Sequence, residues 1–161
     1  MSGLDPQGEG GRECAMTTHI RIQQEDFDIN SETKALRSGT VGAVATFTGI
    51  VRGDDGLAAL VLEHYPGMTE REIARHVDEA RSRWPLGGVT VIHRVGRLAP
   101  GDNIVLVAVA AAHRKAAFEA CEFLMDYLKT RAPFWKREER DGSDHWVEAK
   151  QSDDDAAKKW R

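Results

Sequence analysis

The sequence predicts a single α+β domain with a largely antiparallel sheet, two main helices and a C-terminal hairpin. Three observations indicate this fold. Strand-like apolar stretches recur between turn residues, two segments place apolar residues at helical spacing, and an Asp-Gly pair separates two strand-like stretches near the end. With 161 residues, 41% of them hydrophobic and 30% charged, the chain has the size and composition of one folded domain.

The two ends of the chain differ from the part between them. Residues 1–17 contain several glycines and a proline without apolar periodicity, which indicates a flexible N-terminal extension. Residues 151–161 combine aspartates and lysines with Trp160, which is typical of a polar tail or of a short helix anchored by one aromatic ring. A single domain is therefore predicted over residues 18–150.

In chain order, the first half of this domain contains three predicted strands and one short helix. These are a strand at 19–23, a helix at 31–38, and strands at 41–51 and 58–65. The stretch 41–51 is nearly continuously apolar, as in a strand that is buried on both faces. Because only a tight loop at 52–56 separates it from 58–65, we interpret the two strands as a hairpin.

The second half contains the two longer helices, two further strands and the C-terminal hairpin. They are predicted as helices at 69–84 and 114–131, strands at 89–95 and 104–112, and paired strands at 134–140 and 145–149. Thr69 and Glu72 form a capping box at the start of the first helix. The second helix places Cys121 on its apolar face between Ala117 and Leu124, so Cys121 is interpreted as a core residue.

Charge, cysteine content and motif content argue against several classes of function. A net charge of −4 gives no support for a nucleic-acid or membrane surface, so any anion must be recognised locally. Two distant cysteines and the lack of a long apolar segment favour a cytoplasmic location. Motifs of serine hydrolases, zinc proteases and nucleotide-binding loops are missing, and the six histidines show no ligand spacing, so neither a metal nor a cofactor is expected.

Basic residues at both ends of the second long helix are the first candidates for a binding site. His113 and Arg114 stand at its N-terminus, where the helix dipole is already positive. They either point into water or bind a phosphate or carboxylate together with the free N–H groups of the helix, and the sequence leaves both interpretations open. Lys129 stands at the C-terminus, where its charge complements the dipole, so a structural role is favoured when Lys129 is considered alone.

Lys136 and Arg52 are the remaining basic candidates. Lys136 lies close to Arg131 and Arg137 along the chain, and neighbouring positive charges favour the neutral amine that can act as a base or nucleophile. Arg52 follows the stretch 41–51 beside glycines, which would let the backbone approach a ligand but would equally suit a tight turn.

Five stretches of the sequence closely resemble the large, catalytic subunit of molybdopterin synthase, the MoaE family. They are TFTGIVR at 46–52, LEHYPGMT at 62–69, DEARSRW at 78–84, VIHRVG at 91–96 and MDYLKTRAPFWKRE at 125–138. Together with the pair His113-Arg114 they extend the resemblance over roughly residues 19–160. Because the last stretch is long and unusual in composition, chance does not explain the match.

The resemblance implies an α/β-hammerhead fold and a sulfurtransferase. Such an enzyme converts cyclic pyranopterin monophosphate into molybdopterin by installing the dithiolene sulfurs, and it uses no cofactor. The sulfur arrives as a thiocarboxylate on the C-terminal glycine of a small ubiquitin-like subunit. The catalytic chains form a homodimer at the core of a heterotetramer, so both a protein partner and a second copy of this chain are expected.

The resemblance also assigns roles to individual residues. Lys129 and Lys136 would be catalytic, with Lys129 beside the terminal glycine of the partner. The residues implied to bind the substrate are Ile50, Val51, Arg52, His113, Arg114, Lys129, Lys136, Arg137 and Glu138. Phe47 and Met125 would form apolar walls of the pocket, and Lys150 would contribute to the pocket of the neighbouring subunit.

Two departures from the family and two alternative functions remain. The loop at 53–57 is shorter than the family leads us to expect, which leaves open how the substrate is covered, and the N-terminal extension has no counterpart. A subunit that docks a ubiquitin-like tail without catalysis is the main alternative, and it would tolerate Lys129→Arg. An RNA-binding module is less favoured, since Phe134 and Trp135 offer stacking surfaces but the charge balance is wrong.

Overall fold

The computed structural model describes residues 16–54, 56–140, 143–147 and 151–160. The strands are β1 Thr18–Gln23, β2 Ala43–Ile50, β3 Leu57–His64, β4 Leu86–Arg94, β5 Gly96–Leu98, β6 Asn103–Ala111, β7 Phe134–Arg140 and β8 Ser143–Val147. The helices are α1 Ile29–Ala35, α2 Met68–Arg83, α3 Arg114–Thr130 and α4 Gln151–Lys158. The predicted α+β class, with two main helices and a C-terminal hairpin of β7 and β8, is confirmed.

The strands form two four-stranded sheets rather than one. Their orders are β1-β4-β6-β2 and β5-β3-β7-β8, and among the described strands only β1 and β4 pair in parallel. The predicted hairpin of 41–51 with 58–65 is wrong, because β2 pairs with β6 whereas β3 pairs with β5 and β7. The chain after β2 bonds to the turn before β6 instead: the N–H of Val51 donates to Asp102 O at 2.9 Å, and the N–H of Gly101 donates to Val51 O at 2.8 Å.

The prediction that the second strand is buried on both faces is also wrong. β2 is at the edge of its sheet, and the side chains of Phe47 and Ile50 are 41% and 56% exposed. The strands that are buried on both faces are β4 and β6, which occupy the centre of the same sheet. An apolar run therefore identified a strand correctly without revealing its position in the sheet.

The main core lies between the first sheet and the helices α2 and α3. The predicted apolar face of α3 is confirmed, because Ala117, Cys121 and Leu124 are 1%, 7% and 1% exposed. They pack with α2 and with the inward side chains of β4 and β6 in one cluster. Burial of each large aliphatic side chain in such a cluster contributes about 1.5–3 kcal/mol, so this packing fixes the axis of α3 on the sheet.

Helix α2 starts with a different cap from the predicted one. Gly67 is the N-cap, and its N–H donates to the carboxylate of Glu70 at 2.8 Å. Glycine suits this position because the backbone has a φ of 84° there. The hydroxyl of Thr69 instead donates to Tyr65 O at 2.8 Å, and the carboxylate of Glu72 pairs with Arg75 at 2.9 Å, so the predicted Thr69–Glu72 box is wrong.

The C-terminal segment folds as helix α4 and lies against α3. Trp160 donates from Nε1 to the carboxylate of Asp126 at 2.5 Å, and its ring packs edge-on against Trp84 and Phe123 at about 5.5 Å. Within the described ranges no helix is long and apolar enough to cross a membrane. Residues 1–15 of the predicted extension, the Asp141-Gly142 turn and Lys150 lie outside the described residues.

Candidate functional site

A cavity of about 880 Å³ opens between the two sheets at the C-terminal end of α3. It is lined by β2 and the loop after it, by the last turns of α3, and by β7. This volume is within the range of sites that bind small organic molecules. We call this space the cavity.

The cavity brings together most of the residues that the sequence singled out. Those on its wall are Phe47, Ile50, Val51, Arg52, Met125, Lys129, Lys136 and Glu138. They come from three separate segments of the chain, so the fold, and not local sequence, gathers them. Because Phe47, Ile50, Val51 and Met125 are apolar, the cations stand beside an apolar wall.

The two lysines reach one cavity because the chain turns sharply between them. Helix α3 ends where the N–H groups of Arg131 and Ala132 both bond to Tyr127 O, at 2.9 and 3.2 Å. Strand β7 begins only two residues later, at Phe134. Lys129 is therefore exposed on the last turn of the helix while Lys136 is half-buried on the strand, and both line the cavity.

Alternation along β7 separates its charged residues onto two faces. Lys136, Glu138 and Arg140 line the cavity, as every second residue of a strand should. Arg137 was expected in the same pocket, but it lies on the opposite face, where its guanidinium bonds to the carboxylate of Asp144 at 2.5 Å. Arg137 is not among the residues that line the cavity, so the structure does not support a binding role for it there.

His113 and Arg114 do not line the cavity of their own chain. They are exposed at the N-terminus of α3, where His113 is the N-cap residue and makes no side-chain capping bond. Lys129 follows Arg114 by 15 residues in the same helix. At a rise of about 1.5 Å per residue, the two positions are about 22 Å apart along the helix axis. One chain therefore cannot place both residues on one small ligand.

His93 is a cavity residue that the sequence analysis missed. Its ring is 5% exposed and stacks on Phe134 with the centroids 3.8 Å apart. Nδ1 lies 2.9 Å from Arg94 O, and since a carbonyl can only accept, Nδ1 carries the proton. Burial lowers the pKa of His93 to about 4, and the charges of Lys136 and Lys129 act in the same direction. A neutral ring with an unprotonated Nε2 therefore stands beside the two lysines.

The rim of the cavity carries a cluster of alternating charges that we call the rim cluster: Arg52, Asp54, Glu138 and Arg140. The carboxylate of Asp54 lies 3.2 Å from Arg52 Nε and 3.4 Å from an Arg140 nitrogen. Arg140 Nε also donates to Glu138 at 2.8 Å. Neither Asp54 nor Arg140 was a candidate from the sequence, because 86 residues separate them along the chain.

The described part of the cavity wall carries a positive charge although the chain as a whole is acidic. Among the described residues four cationic side chains line it, Arg52, Lys129, Lys136 and Arg140, against the three carboxylates of Asp54, Glu138 and Asp153. The whole chain has a net charge of −4. An anion would therefore be attracted to this place rather than to the surface in general.

Metal chemistry and thiol chemistry find no support at this site. Among the described residues no group of three or more His, Cys, Asp and Glu side chains could hold a metal ion. Cys121 is buried in the core, and burial raises the pKa of its thiol to about 12. The thiolate that would react is therefore rare at neutral pH, and the prediction that Cys121 is a core residue is confirmed.

Comparison with known families and curated proteins gives a consistent result. Residues 22–131 match the family model described as MoaE protein. A curated relative from Mesorhizobium japonicum, described as molybdopterin synthase catalytic subunit, is 60% identical over an alignment of 147 residues that covers 88% of this chain and 92% of the relative. A relative of the same description from Escherichia coli is 66% identical and covers 89% of this chain and 98% of its own length.

Solved structures with the same fold agree with these relatives. A MoaE protein from Burkholderia ambifaria superposes with a TM-score of 0.78 at 52% identity, over 89% of this chain and 98% of that chain. A molybdopterin synthase structure from Staphylococcus aureus has a TM-score of 0.73 at 32% identity, over 78% of this chain and 94% of that chain. The similarity therefore extends over nearly the whole described domain.

Proposed function

Because the chain belongs to the MoaE protein family, we propose that it is the catalytic subunit of a molybdopterin synthase, a sulfurtransferase of molybdenum cofactor biosynthesis. Its substrate is cyclic pyranopterin monophosphate and its product carries the dithiolene sulfurs of molybdopterin. The observation that carries the proposal is that Lys129, Lys136 and Arg52 line one cavity on an acidic chain. We place the reaction in the cytoplasm, as the composition led us to expect.

The sulfur donor in this proposal is the C-terminal thiocarboxylate of a small ubiquitin-like subunit. A thiocarboxylate is an anion, and the exposed ammonium group of Lys129 can pair with it at the cavity. Phe47 and Ile50, which are 41% and 56% exposed beside it, offer apolar contacts to the backbone of an extended tail. A terminal glycine has no side chain, so it could approach Lys129 closely.

The cavity supplies charged groups and groups that can transfer protons. Ammonium groups of Lys129 and Lys136 offset the negative charges of the thiocarboxylate and the substrate phosphate as they approach each other. Either lysine, in its neutral form, can accept a proton or act as a nucleophile. The neutral ring of His93 stands behind them as a hydrogen-bond acceptor, and Glu138 provides a carboxylate on the same face of β7.

A homodimer at the core of a heterotetramer is the assembly that we propose. His113 and Arg114 stand about 22 Å along helix α3 from Lys129, so they would bind the substrate phosphate only in the cavity of a second copy of the chain. There the imidazole, the guanidinium and the N-terminus of α3 would form one anion site. By resemblance, Lys150 would also act on the neighbouring subunit.

Product formation tests the catalytic role of Lys129. Purified chain is mixed with cyclic pyranopterin monophosphate and a small subunit carrying a C-terminal thiocarboxylate, and molybdopterin is measured. We expect product from the parent and a loss of about a hundredfold or more for both Lys129→Ala and Lys129→Arg, since arginine stays protonated. Arg97→Gln, on the exposed face of β5, is the matched control and should retain activity.

The alternative of a docking subunit predicts a different pattern in the same assay. The parent would then bind the small subunit tightly without making product, and Lys129→Arg would bind it as well as the parent does. Binding of the small subunit by each variant is therefore measured beside product formation.

Subunit mixing tests the shared site. Arg114→Ala chains and Lys129→Ala chains should each be inactive as homodimers, but a mixed dimer has one cavity with both residues intact. Random mixing makes half of the dimers mixed, so co-expression should restore about a quarter of the parent activity. Recovery of no activity would contradict the assignment of Arg114 to the neighbouring cavity.

A further inference from the structure

The loop between β2 and β3 is bonded to strand β7 across the rim of the cavity. Resting on the proposed function, we infer that Arg140 is a positioning residue for substrate binding, which fixes this loop through Asp54 and thereby places Arg52 over the cavity. In this role Arg140 acts through the rim cluster and takes part in no chemical step.

The contacts of Arg140 connect two distant segments of the chain. One terminal nitrogen donates to the backbone oxygen of Asp54 at 2.8 Å, and the other lies 3.4 Å from the Asp54 carboxylate. Nε donates to Glu138 at 2.8 Å, which orients the guanidinium on the cavity face of β7. A planar guanidinium can make these three contacts at once, because its nitrogens form a rigid fork of donors. A lysine ammonium has no such arrangement of donors.

The other side of the loop packs against the turn before β6. Val51 exchanges two backbone hydrogen bonds with this turn, from its N–H to Asp102 O at 2.9 Å and to its O from Gly101 N–H at 2.8 Å. A Cβ on Gly53 would lie 2.7 Å from Pro100 Cβ, so the backbone touches the turn there. The loop is thus bonded at its start to the β6 turn and, at Asp54, to β7.

Asp54 connects the fixed position of the loop to the side chain of Arg52. Its carboxylate lies between two guanidinium groups, with one oxygen 3.2 Å from Arg52 Nε and the other 3.4 Å from Arg140. The side chain of Arg52 is 79% exposed, so few other contacts restrict it. Without Arg140, the Asp54 carbonyl and carboxylate would lose a partner and Arg52 would sample more positions, which weakens phosphate binding.

The contact between Arg140 and Asp54 matters because the loop between β2 and β3 is short. The sequence left open how a loop of residues 53–57 could cover the substrate, since it is shorter than the family leads us to expect. Arg140 compensates by holding the loop at the rim, from a strand that also carries Lys136 and Glu138 on the same face. The binding arginine and the lysines are thereby fixed relative to one another.

Steady-state kinetics of Arg140→Gln separate positioning from chemistry. With the thiocarboxylated small subunit in excess, we expect KM for the pterin to rise about threefold to tenfold while kcat stays within about twofold, because binding is weakened equally in the ground state and the transition state. Arg140→Lys should raise KM similarly, since it keeps the charge but not the fork. Arg97→Gln is the control: it also removes an arginine–glutamate pair from β7, between Arg97 and Glu139, but on the other face of the strand.

Amide hydrogen exchange tests the structural half of the inference without activity. The N–H of Leu57 bonds to Asp54 O at 3.0 Å, the same oxygen that Arg140 contacts, so it should exchange faster in Arg140→Gln than in the parent or in Arg97→Gln.

Several results would overturn the inference. An unchanged KM for Arg140→Gln, a fall in kcat at constant KM, full recovery by Arg140→Lys, or unchanged exchange at Leu57 would each do so. If the parent itself makes no product, the proposed function fails instead, and the exchange experiment still decides whether Arg140 fixes the loop.

Discussion

Lowering the pH from 7 to 5 should destabilise this fold, because the buried ring of His93 resists taking up a proton. The ring is 5% exposed and stacks on Phe134, and its Nδ1–H already donates to Arg94 O. Three cations or potential cations face it from the elements packed around it: Lys129 from α3, Lys136 from β7 and His64 from β3. A positive charge on the His93 ring would be removed from water and repelled by these neighbours.

The size of the destabilisation follows from the difference between the pKa of His93 in the folded protein and its pKa in the unfolded chain. Burial lowers the pKa of His93 from 6.5 to about 4 in the folded protein. Between these values the unfolded chain binds a proton that the folded chain does not, so the free energy of unfolding falls as the pH falls. At about 1.4 kcal/mol per pH unit, the loss from this group is about 2 kcal/mol at pH 5 and about 3 kcal/mol near pH 4.

Urea unfolding at several pH values measures this contribution by comparison with His93→Gln. Glutamine has similar length and keeps a hydrogen-bonding amide, but it does not titrate in this range. The variant should be less stable than the parent at pH 7 through altered packing, and the difference should shrink as the pH falls to 5. Equal dependence on pH in parent and variant, with unchanged m-values, would refute the argument that His93 stays neutral in the folded state.

Two further predictions concern the core. Leu124→Ala should lower the free energy of unfolding by about 2–5 kcal/mol, because the side chain is 1% exposed between α3 and the first sheet and its loss leaves a cavity. Chemical unfolding at pH 7 measures this change, and a loss below about 1 kcal/mol would contradict the packing of Leu124. Cys121 should resist alkylation in the folded protein at pH 7, because burial raises the pKa of the thiol to about 12; mass spectrometry of peptides after brief iodoacetamide treatment measures this, and rapid modification that does not require unfolding would contradict it.

Local patterns predicted the helices and the C-terminal hairpin but not the sheet pairing. Helix α3 follows from apolar residues spaced three and four apart, and the β7–β8 pair follows from a short connection. Strand β2 does not form the predicted hairpin with β3. It pairs with β6, and Thr46 lies opposite Ala108, which is 62 residues later in the chain. Periodicity reports which residues are apolar within a segment and carries no information on the partner of an edge strand, so the local hairpin was the wrong choice.

In the site, as in the fold, the sequence revealed residues that are close along the chain and missed contacts between distant segments. Lys129 and Lys136 lie on either side of the end of one helix, so a single stretch of sequence shows that they are close along the chain. The contact of Arg140 with Asp54 joins segments 86 residues apart, and neither residue stands out by composition. His93 was missed for another reason: it lies in an apolar strand, where a histidine is indistinguishable from an ordinary core residue until its neighbours are known.

The length of α3 explains why the proposed site would require more than one chain. Helix α3 packs on the first sheet, and each of its ends presents cations: His113 and Arg114 at the N-terminus, Lys129 at the C-terminus. A rigid helix of 17 residues holds these groups about 22 Å apart between Arg114 and Lys129, which exceeds the size of a pterin phosphate. If both ends act on the same substrate, the substrate must lie between two copies of the helix, so the dimer is a condition of the proposed chemistry.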